Sequence, residues 1–112
     1  MATSTYKRLG AIASTGTIGT ADTLYTVPAA TATVVSTITI CNTSSSAATY
    51  TIGISTTTSY AAAGYIVYQA TIAGNDTVGL TFGATLDATN KYLLCSASAS
   101  TVSFSAFGSE IS

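Results

Sequence analysis

Apolar and polar residues alternate along much of this chain with a period of two. That spacing places one face of a β-strand against a core. The clearest case is Thr49–Ser55, in which Tyr50, Ile52 and Ile54 share one face and the intervening residues are Thr or Gly. A helix would instead need apolar residues at intervals of three and four. This segment therefore predicts a strand that is buried on one face only.

Seven further segments have strand character and are separated by Gly, Asn, Asp and Ser. They are Tyr6–Ala13, Thr23–Val27, Val34–Cys41, Tyr65–Ile72, Val78–Phe82, Lys91–Ala97 and Val102–Phe107. No segment has a convincing helical pattern. Short strands at regular spacing indicate an all-β protein. We therefore expect a single antiparallel β-sandwich of about eight strands, either jelly-roll or immunoglobulin-like.

Two local features refine this expectation. Within Tyr65–Ile72, simple alternation places Ile66, Tyr68, Ala70 and Ile72 on one face of the strand and the residues between them on the other. The sequence Gly74-Asn75-Asp76 that follows predicts a tight turn, because Gly and Asn tolerate positive φ angles.

The length of the chain limits its organisation. A chain of 112 residues suffices for one domain, and no run of like charges or prolines suggests a linker. Residues 1–112 are therefore interpreted as one β-sandwich domain. Residues 1 to about 8 are interpreted as a short N-terminal arm in front of it.

Charged residues are unusually rare. They make up 6% of the chain, against roughly 25% in ordinary soluble domains. The only cations are Lys7, Arg8 and Lys91, too few for the basic stripe that nucleic acids or acidic membranes require. We therefore expect neither nucleic acid nor membrane as a partner.

Targeting signals are also not predicted. The stretch from Thr23 to Asn75 is uncharged, but Ser and Thr interrupt it too often for a membrane-spanning helix. The apolar residues after Arg8 are too few for a signal peptide. We therefore expect the chain to fold in the cytoplasm.

Catalytic chemistry has little support in the residues. The chain contains no His, and its four carboxylates are Asp22, Asp76, Asp87 and Glu110. The three Asp residues fall in turns or strand starts, where Asp normally accepts local bonds from backbone N–H groups. Nucleophile and phosphate-loop motifs are absent. We expect no enzyme, no catalytic residue and no cofactor.

A metal site and a disulfide bond are two minor possibilities that the residues leave open. A calcium site built from the oxygen ligands of Asn75, Asp76, Asp87 and Asn90 is one of them, although an alternating acidic loop is lacking. We expect no metal ion to be bound. Cys41 and Cys95 either form a disulfide or remain as free thiols, and folding in the cytoplasm favours free thiols.

Tyrosine supplies the candidate binding residues. The chain has seven Tyr and no Trp, and Tyr is enriched at protein interfaces. Those in predicted strands are expected at the rim of the core: Tyr25, Tyr50, Tyr68 and Tyr92. The candidates for partner binding are Tyr6 in the arm and Tyr60 in the long Ser55–Gly64 loop. Lys7 and Arg8 are also candidates, because beside Tyr6 they form the only cationic spot and could bind an acidic patch on a partner.

Several segments of the chain resemble small β proteins encoded among the structural genes of tailed bacteriophages. They are Asp22-Thr-Leu-Tyr-Thr-Val-Pro-Ala29, Ser36-Thr-Ile-Thr-Ile-Cys-Asn42, Tyr65-Ile-Val-Tyr68 with Gly74-Asn-Asp-Thr-Val78, and Phe104-Ser-Ala-Phe-Gly-Ser-Glu-Ile111. The resemblance implies a virion structural protein at the capsid surface, folded in the host cytoplasm. It carries no functional residues.

Three functions follow as expectations. The first is a capsid decoration, or cement, protein that binds the major capsid protein lattice, with a homotrimer as the favoured oligomer. The alternative is a tail, baseplate or fibre-associated structural module. The second alternative is a carbohydrate-binding adhesin domain that uses exposed Tyr side chains as stacking platforms.

Overall fold

A computed structural model describes residues 4–111, apart from the side chain of Phe82. The strands are β1 (Ser4–Ala13), β2 (Asp22–Thr26), β3 (Ala32–Asn42), β4 (Ala48–Ser55), β5 (Tyr65–Ile72), β6 (Thr77–Leu86), β7 (Tyr92–Ala97) and β8 (Val102–Ile111). All eight predicted strands are confirmed, with shifted ends at most of them. Within the described chain no helix exists that could cross a membrane.

The strands form two four-stranded sheets. Sheet A has the order β1-β8-β3-β6 and sheet B the order β2-β7-β4-β5. All neighbouring strands are antiparallel. The first half of the chain thus pairs with the second half in reverse: β1 with β8, β2 with β7, β3 with β6 and β4 with β5.

This order is that of a jelly roll, a long hairpin rolled into two sheets. An immunoglobulin-like sandwich would pair its first two strands within one sheet. Here β1 and β2 lie in different sheets. The antiparallel β-sandwich is therefore confirmed, and strand order favours the jelly roll over the immunoglobulin-like arrangement.

The core lies between the two sheets. Its largest fully buried side chains include Val35, Ile38, Ile40, Ile52, Leu93, Val102 and Phe104. Each such burial stabilises the fold by about 1.5–3 kcal/mol. Strand β3 has a bulge at Ser36, which adds one residue between two inward-facing positions. Because of it, Val35 and Ile38 both face inward although they are three residues apart.

The predicted N-terminal arm is wrong from Ser4 onward. Residues 4–8 belong to β1, and they pair with β8 from Ile111 to Phe107. β1 forms one edge of sheet A, so this segment is part of the sandwich. Residues 1–3 of the expected arm lie outside the described residues.

Strand β5 departs from the predicted alternation. Tyr50 of β4 pairs with Ala70, but Ile52 pairs with Val67, so β5 carries one extra residue opposite Thr51. Gln69 in this bulge has a φ of 50°. Such a bulge turns the residues just before it to the other face. A second register shift, between the pairs Ile52–Val67 and Gly53–Tyr65, reverses the faces once more at the start of the strand.

The bulge changes which side chains of β5 reach the core. Ile72 is buried, and Ala70 and Val67 pack against the core. Ile66 and Tyr68 are instead 37% and 62% exposed. The prediction that these four residues share one face is therefore wrong, because those after the bulge lie toward the core and those before it are exposed. Tyr68 in particular is a surface residue rather than part of the rim of the core.

Candidate functional site

Two loops cover the outer face of sheet B. One comprises residues 14–21, between β1 and β2, and the other residues 56–64, between β4 and β5. Beneath them Thr51 and Gly53, on the outward face of β4, are buried. The prediction that β4 is buried on one face only is therefore wrong, because these loops cover its second face.

Tyr60 holds the second of these loops against the sheet. Its ring lies over Gly53, where a Cβ atom would come within 3.0 Å of the ring carbon Cδ1. Only glycine leaves that room without a shift of the ring. A glycine inside a strand is a known sign of such a close approach, and Gly53 was the signal in the sequence that could have revealed this contact.

A chain of hydrogen bonds connects Tyr60 to the first loop. The Ser96 hydroxyl donates to the Ile18 carbonyl oxygen at 2.6 Å, and the Tyr60 hydroxyl lies 2.7 Å from Ser96 Oγ. Because a serine hydroxyl has a single proton, Tyr60 is the donor in the second bond. Burial raises the pKa of Tyr60 to about 12. Ser96 therefore joins both loops to β7.

Three tyrosines, Tyr60, Tyr65 and Tyr68, form what we call the tyrosine row. The Tyr60 and Tyr65 ring centroids are 5.2 Å apart at an interplanar angle of 34°. Tyr65 and Tyr68 are 4.8 Å apart in an edge-to-face arrangement. Both distances lie in the range of favourable aromatic pairs. The prediction that Tyr60 binds a partner remains a prediction, and the structure places this side chain half-buried with its hydroxyl bonded internally.

A pocket of about 430 Å³ opens between the two loops. It is lined by Gly19, Thr20, Ala21, Thr58, Ser59, Tyr60 and Tyr65. None of these lining residues is charged. The nearest carboxylate in sequence, Asp22, accepts hydrogen bonds from the backbone N–H of Thr15 at 3.1 Å and from its hydroxyl at 3.3 Å. The pocket is therefore a neutral, hydroxyl-rich site with two aromatic walls.

The other predicted binding residues are divided between the two faces of sheet A. Lys7 pairs with Gly108, whose face points to the core, whereas Tyr6 and Arg8 lie on the outer face. Tyr6 is 65% exposed, and its hydroxyl lies 3.1 Å from Ser36 Oγ. The three residues were expected to form one spot, and strand alternation separates Lys7 from the other two.

Lys7 instead takes part in a polar cluster that links the two sheets. Its Nζ lies 2.9 Å from Glu110 Oε1. The Tyr25 hydroxyl, from β2 of sheet B, donates to the same carboxylate and lies 2.9 Å from Thr33 Oγ1. Bonds from Tyr25 and then Lys7 lower the pKa of Glu110. Burial and then the bond to Glu110 raise the pKa of Tyr25 to about 12.

The three aspartates make the local bonds that the sequence predicted. Asp87 Oδ1 accepts from the backbone N–H groups of Thr89 and Asn90 at 2.9 and 2.8 Å, which lowers its pKa. Asp76 Oδ1 accepts from the Thr77 N–H at 2.9 Å. Asp22 accepts from Thr15, as described above.

The conceivable calcium ligands do not converge. Asp76 precedes β6 and Asp87 follows it, so a ten-residue strand of about 3.3 Å rise per residue separates them. Within residues 4–111, no three or more Asp, Glu, His or Cys side chains come together as metal ligands would.

The two cysteines are free thiols, as the sequence favoured. Cys41 lies on β3 of sheet A and Cys95 on β7 of sheet B, so the sandwich separates them. Cys95 is buried, and that burial raises the pKa of its thiol. Cys95 thus acts as a small apolar core residue.

Comparison of the chain with protein-family models, with curated proteins and with solved structures finds no match.

Proposed function

We propose that this protein is a structural component of a tailed-bacteriophage virion, and specifically a capsid decoration protein. It binds the lattice of the major capsid protein, with a homotrimer as the favoured form. The observation that carries the proposal is an exposed apolar edge on a jelly-roll sandwich. This edge, which we call the β5 edge, consists of Tyr65, Ile66 and Tyr68. The resemblance of the sequence to small phage structural proteins supports the same role.

The β5 edge has the composition of a contact surface. β5 is an outer strand of sheet B, and soluble proteins usually protect such strands with charges or proline. Here Tyr65 and Ile66 are 37% exposed and Tyr68 is 62% exposed. Aromatic side chains are enriched in interfaces. An exposed apolar edge of this kind therefore suits burial against another subunit.

The bulge in β5 determines the kind of contact. Gln69, with its φ of 50°, interrupts the regular strand, and its N–H is already bonded to Thr51 Oγ1 at 3.0 Å. A partner strand adding along this edge would not find an unbroken ladder. The contact we propose is therefore made by side chains, with the tyrosines as anchors.

The low charge of the protein suits a crowded lattice. Net charge is −1 on 112 residues, so neighbouring copies repel each other little. Tyr6 and Arg8, on the outer face of sheet A, provide a second candidate contact for an acidic patch on a partner.

The test adds purified protein to virions of the encoding phage from which this protein is absent. Wild-type protein is expected to bind heads, and the double variant Ile66→Asp/Tyr68→Asp is expected to lose binding. The double variant Thr81→Asp/Thr85→Asp is the matched control, because it adds the same two charges at exposed positions of β6. Unchanged binding of the Ile66→Asp/Tyr68→Asp variant contradicts the β5 edge as the contact. Binding of wild-type protein to tails alone, or to no particle, contradicts the decoration role.

A further inference from the structure

We propose that the pocket between residues 14–21 and 56–64 is a binding site for a neutral saccharide, with the sugar ring stacked on Tyr65. This site shares Tyr65 with the β5 edge, but the inference does not depend on the virion role. It rests on the rigidity of the pocket walls, on the chemistry of the lining and on its lack of charge.

The first loop is fixed by hydrogen bonds before any ligand arrives. The Gly16 N–H donates to Ser14 Oγ at 3.0 Å, and the Thr20 N–H donates to the Thr17 carbonyl oxygen at 3.2 Å. The Ile18 carbonyl oxygen accepts from the Ser96 hydroxyl. A wall held in this way loses little conformational entropy when a ligand binds.

The second loop is fixed in the same manner. The Ser59 N–H donates to Thr57 Oγ1 at 3.2 Å, and the Gly64 N–H donates to the Ala61 carbonyl oxygen at 2.9 Å. Tyr60 is anchored through Ser96. Both walls of the pocket are therefore preorganised, and they are attached to the same residue of the sheet.

The lining matches the two surfaces of a sugar. The Tyr65 ring lines the pocket and packs against Tyr60 and Tyr68, so it is a fixed aromatic surface for the C–H face of a pyranose. The hydroxyl-bearing residues Thr58 and Ser59, also in the lining, can both donate and accept bonds to sugar hydroxyls. The volume of about 430 Å³ falls in the usual range for small-molecule sites, about 300–1,000 Å³.

The electrostatics of the pocket select against charged ligands. No lining residue is a cation that could pair with an acidic sugar. The carboxylate of Asp22 directly follows Ala21 of the lining and would repel an anion. A cation would in turn find no carboxylate in the lining itself. The ligand class that remains is a neutral, hydroxylated molecule with an apolar face.

The experiment titrates the ¹⁵N-labelled protein with separate neutral sugars and follows the backbone amide signals by NMR. The probes are glucose, galactose, mannose, N-acetylglucosamine and N-acetylgalactosamine, with N-acetylneuraminic acid as the anionic comparison. At least one neutral sugar is expected to shift the amides of residues 19–21 and 58–60, with a Kd in the millimolar range. The anionic sugar is expected to leave them in place.

Two pairs of variants separate pocket binding from general effects. Tyr65→Ala removes the stacking ring, and Tyr6→Ala removes an exposed ring on the outer face of sheet A, away from the pocket lining. Gly19→Leu adds a side chain at the pocket wall, and Gly79→Leu does the same on the outer face of sheet A. At both glycines an added Cβ meets nothing within 4 Å, so both variants are expected to fold.

The expected result is at least a tenfold loss of affinity, about 1.4 kcal/mol, in Tyr65→Ala and Gly19→Leu, with no change in their controls. Absence of pocket shifts with every neutral sugar overturns the proposal. Equal affinity in Gly19→Leu and wild type also overturns it, and that outcome remains decisive if Tyr65→Ala does not fold. Failure of particle binding by the wild-type protein bears only on the virion role.

Discussion

The hydroxyl of Tyr60 lies 2.7 Å from the hydroxyl of Ser96, and through it a loop is fixed to the outer face of sheet B. The Ser96 hydroxyl in turn donates a hydrogen bond to the Ile18 carbonyl oxygen in the other loop. One buried serine is therefore bonded to both walls of the pocket. The two loops thus cover the outer face of sheet B, while the β5 edge remains exposed.

Replacement of Ser96 by alanine is expected to loosen both loops. The substitution leaves the half-buried Tyr60 hydroxyl without its closest partner, and such a loss costs about 1–3 kcal/mol. Urea denaturation monitored by circular dichroism measures it. Ser100→Ala, at an exposed position, is the control and is expected to change stability by less than about 0.5 kcal/mol. Equal stabilities of the two variants would show that the Tyr60–Ser96–Ile18 chain does not hold the loops.

The Glu110 carboxylate is expected to make stability depend on acid pH. The pKa of Glu110 is lowered in the folded protein by Tyr25 and Lys7, whereas an unfolded chain has a value of about 4.3. Its contribution is therefore fully present above the unfolded pKa and is lost as pH falls through the lower folded pKa.

The variant Glu110→Gln tests this dependence. At neutral pH it is expected to be about 1–3 kcal/mol less stable than wild type, because bonds to a charged group are lost or weakened. The difference should shrink as the pH falls below about 4. Denaturation curves across this pH range, with Asp76→Asn as the control, measure it. A difference independent of pH would contradict the role of the charge.

The close approach of the two sheets at Gly10 is expected to tolerate no side chain. A Cβ atom there would overlap the carbonyl oxygen of Leu24 in β2, whereas one at Gly79 would meet nothing within 4 Å. Gly10→Ala is expected to destabilise the protein by about 1–3 kcal/mol through overpacking. Gly79→Ala is expected to be neutral or slightly stabilising. Thermal denaturation compares the two, and equal melting temperatures would contradict the predicted clash.

Much of the fold could be predicted from local pattern. Alternation located all eight strands, and turn chemistry placed Asn75 in a turn, where its φ is 53°. Alternation failed at β5 because a bulge is a tertiary adjustment with no clear sign in Tyr65–Ile72. Strand order was open because it depends on pairing between distant segments, which the periodicity of one strand does not specify.

The candidate site was less accessible to sequence reasoning. Tyr60 was singled out, but its partner Ser96 comes from a strand 36 residues away. Lys7 was grouped with its chain neighbours, although alternation in a strand directs adjacent side chains to opposite faces. The cluster around Glu110 was missed because its four strands, β1, β2, β3 and β8, come together only in the folded sandwich.

The copy number of this protein in purified virions tests the central claim most directly. Quantitative mass spectrometry against the major capsid protein measures it. A decoration protein distributed over the lattice is expected at a copy number of the same order as that of the capsid subunit. A copy number at the level of a tail component, or absence of the protein from the particles, would contradict the proposed decoration role.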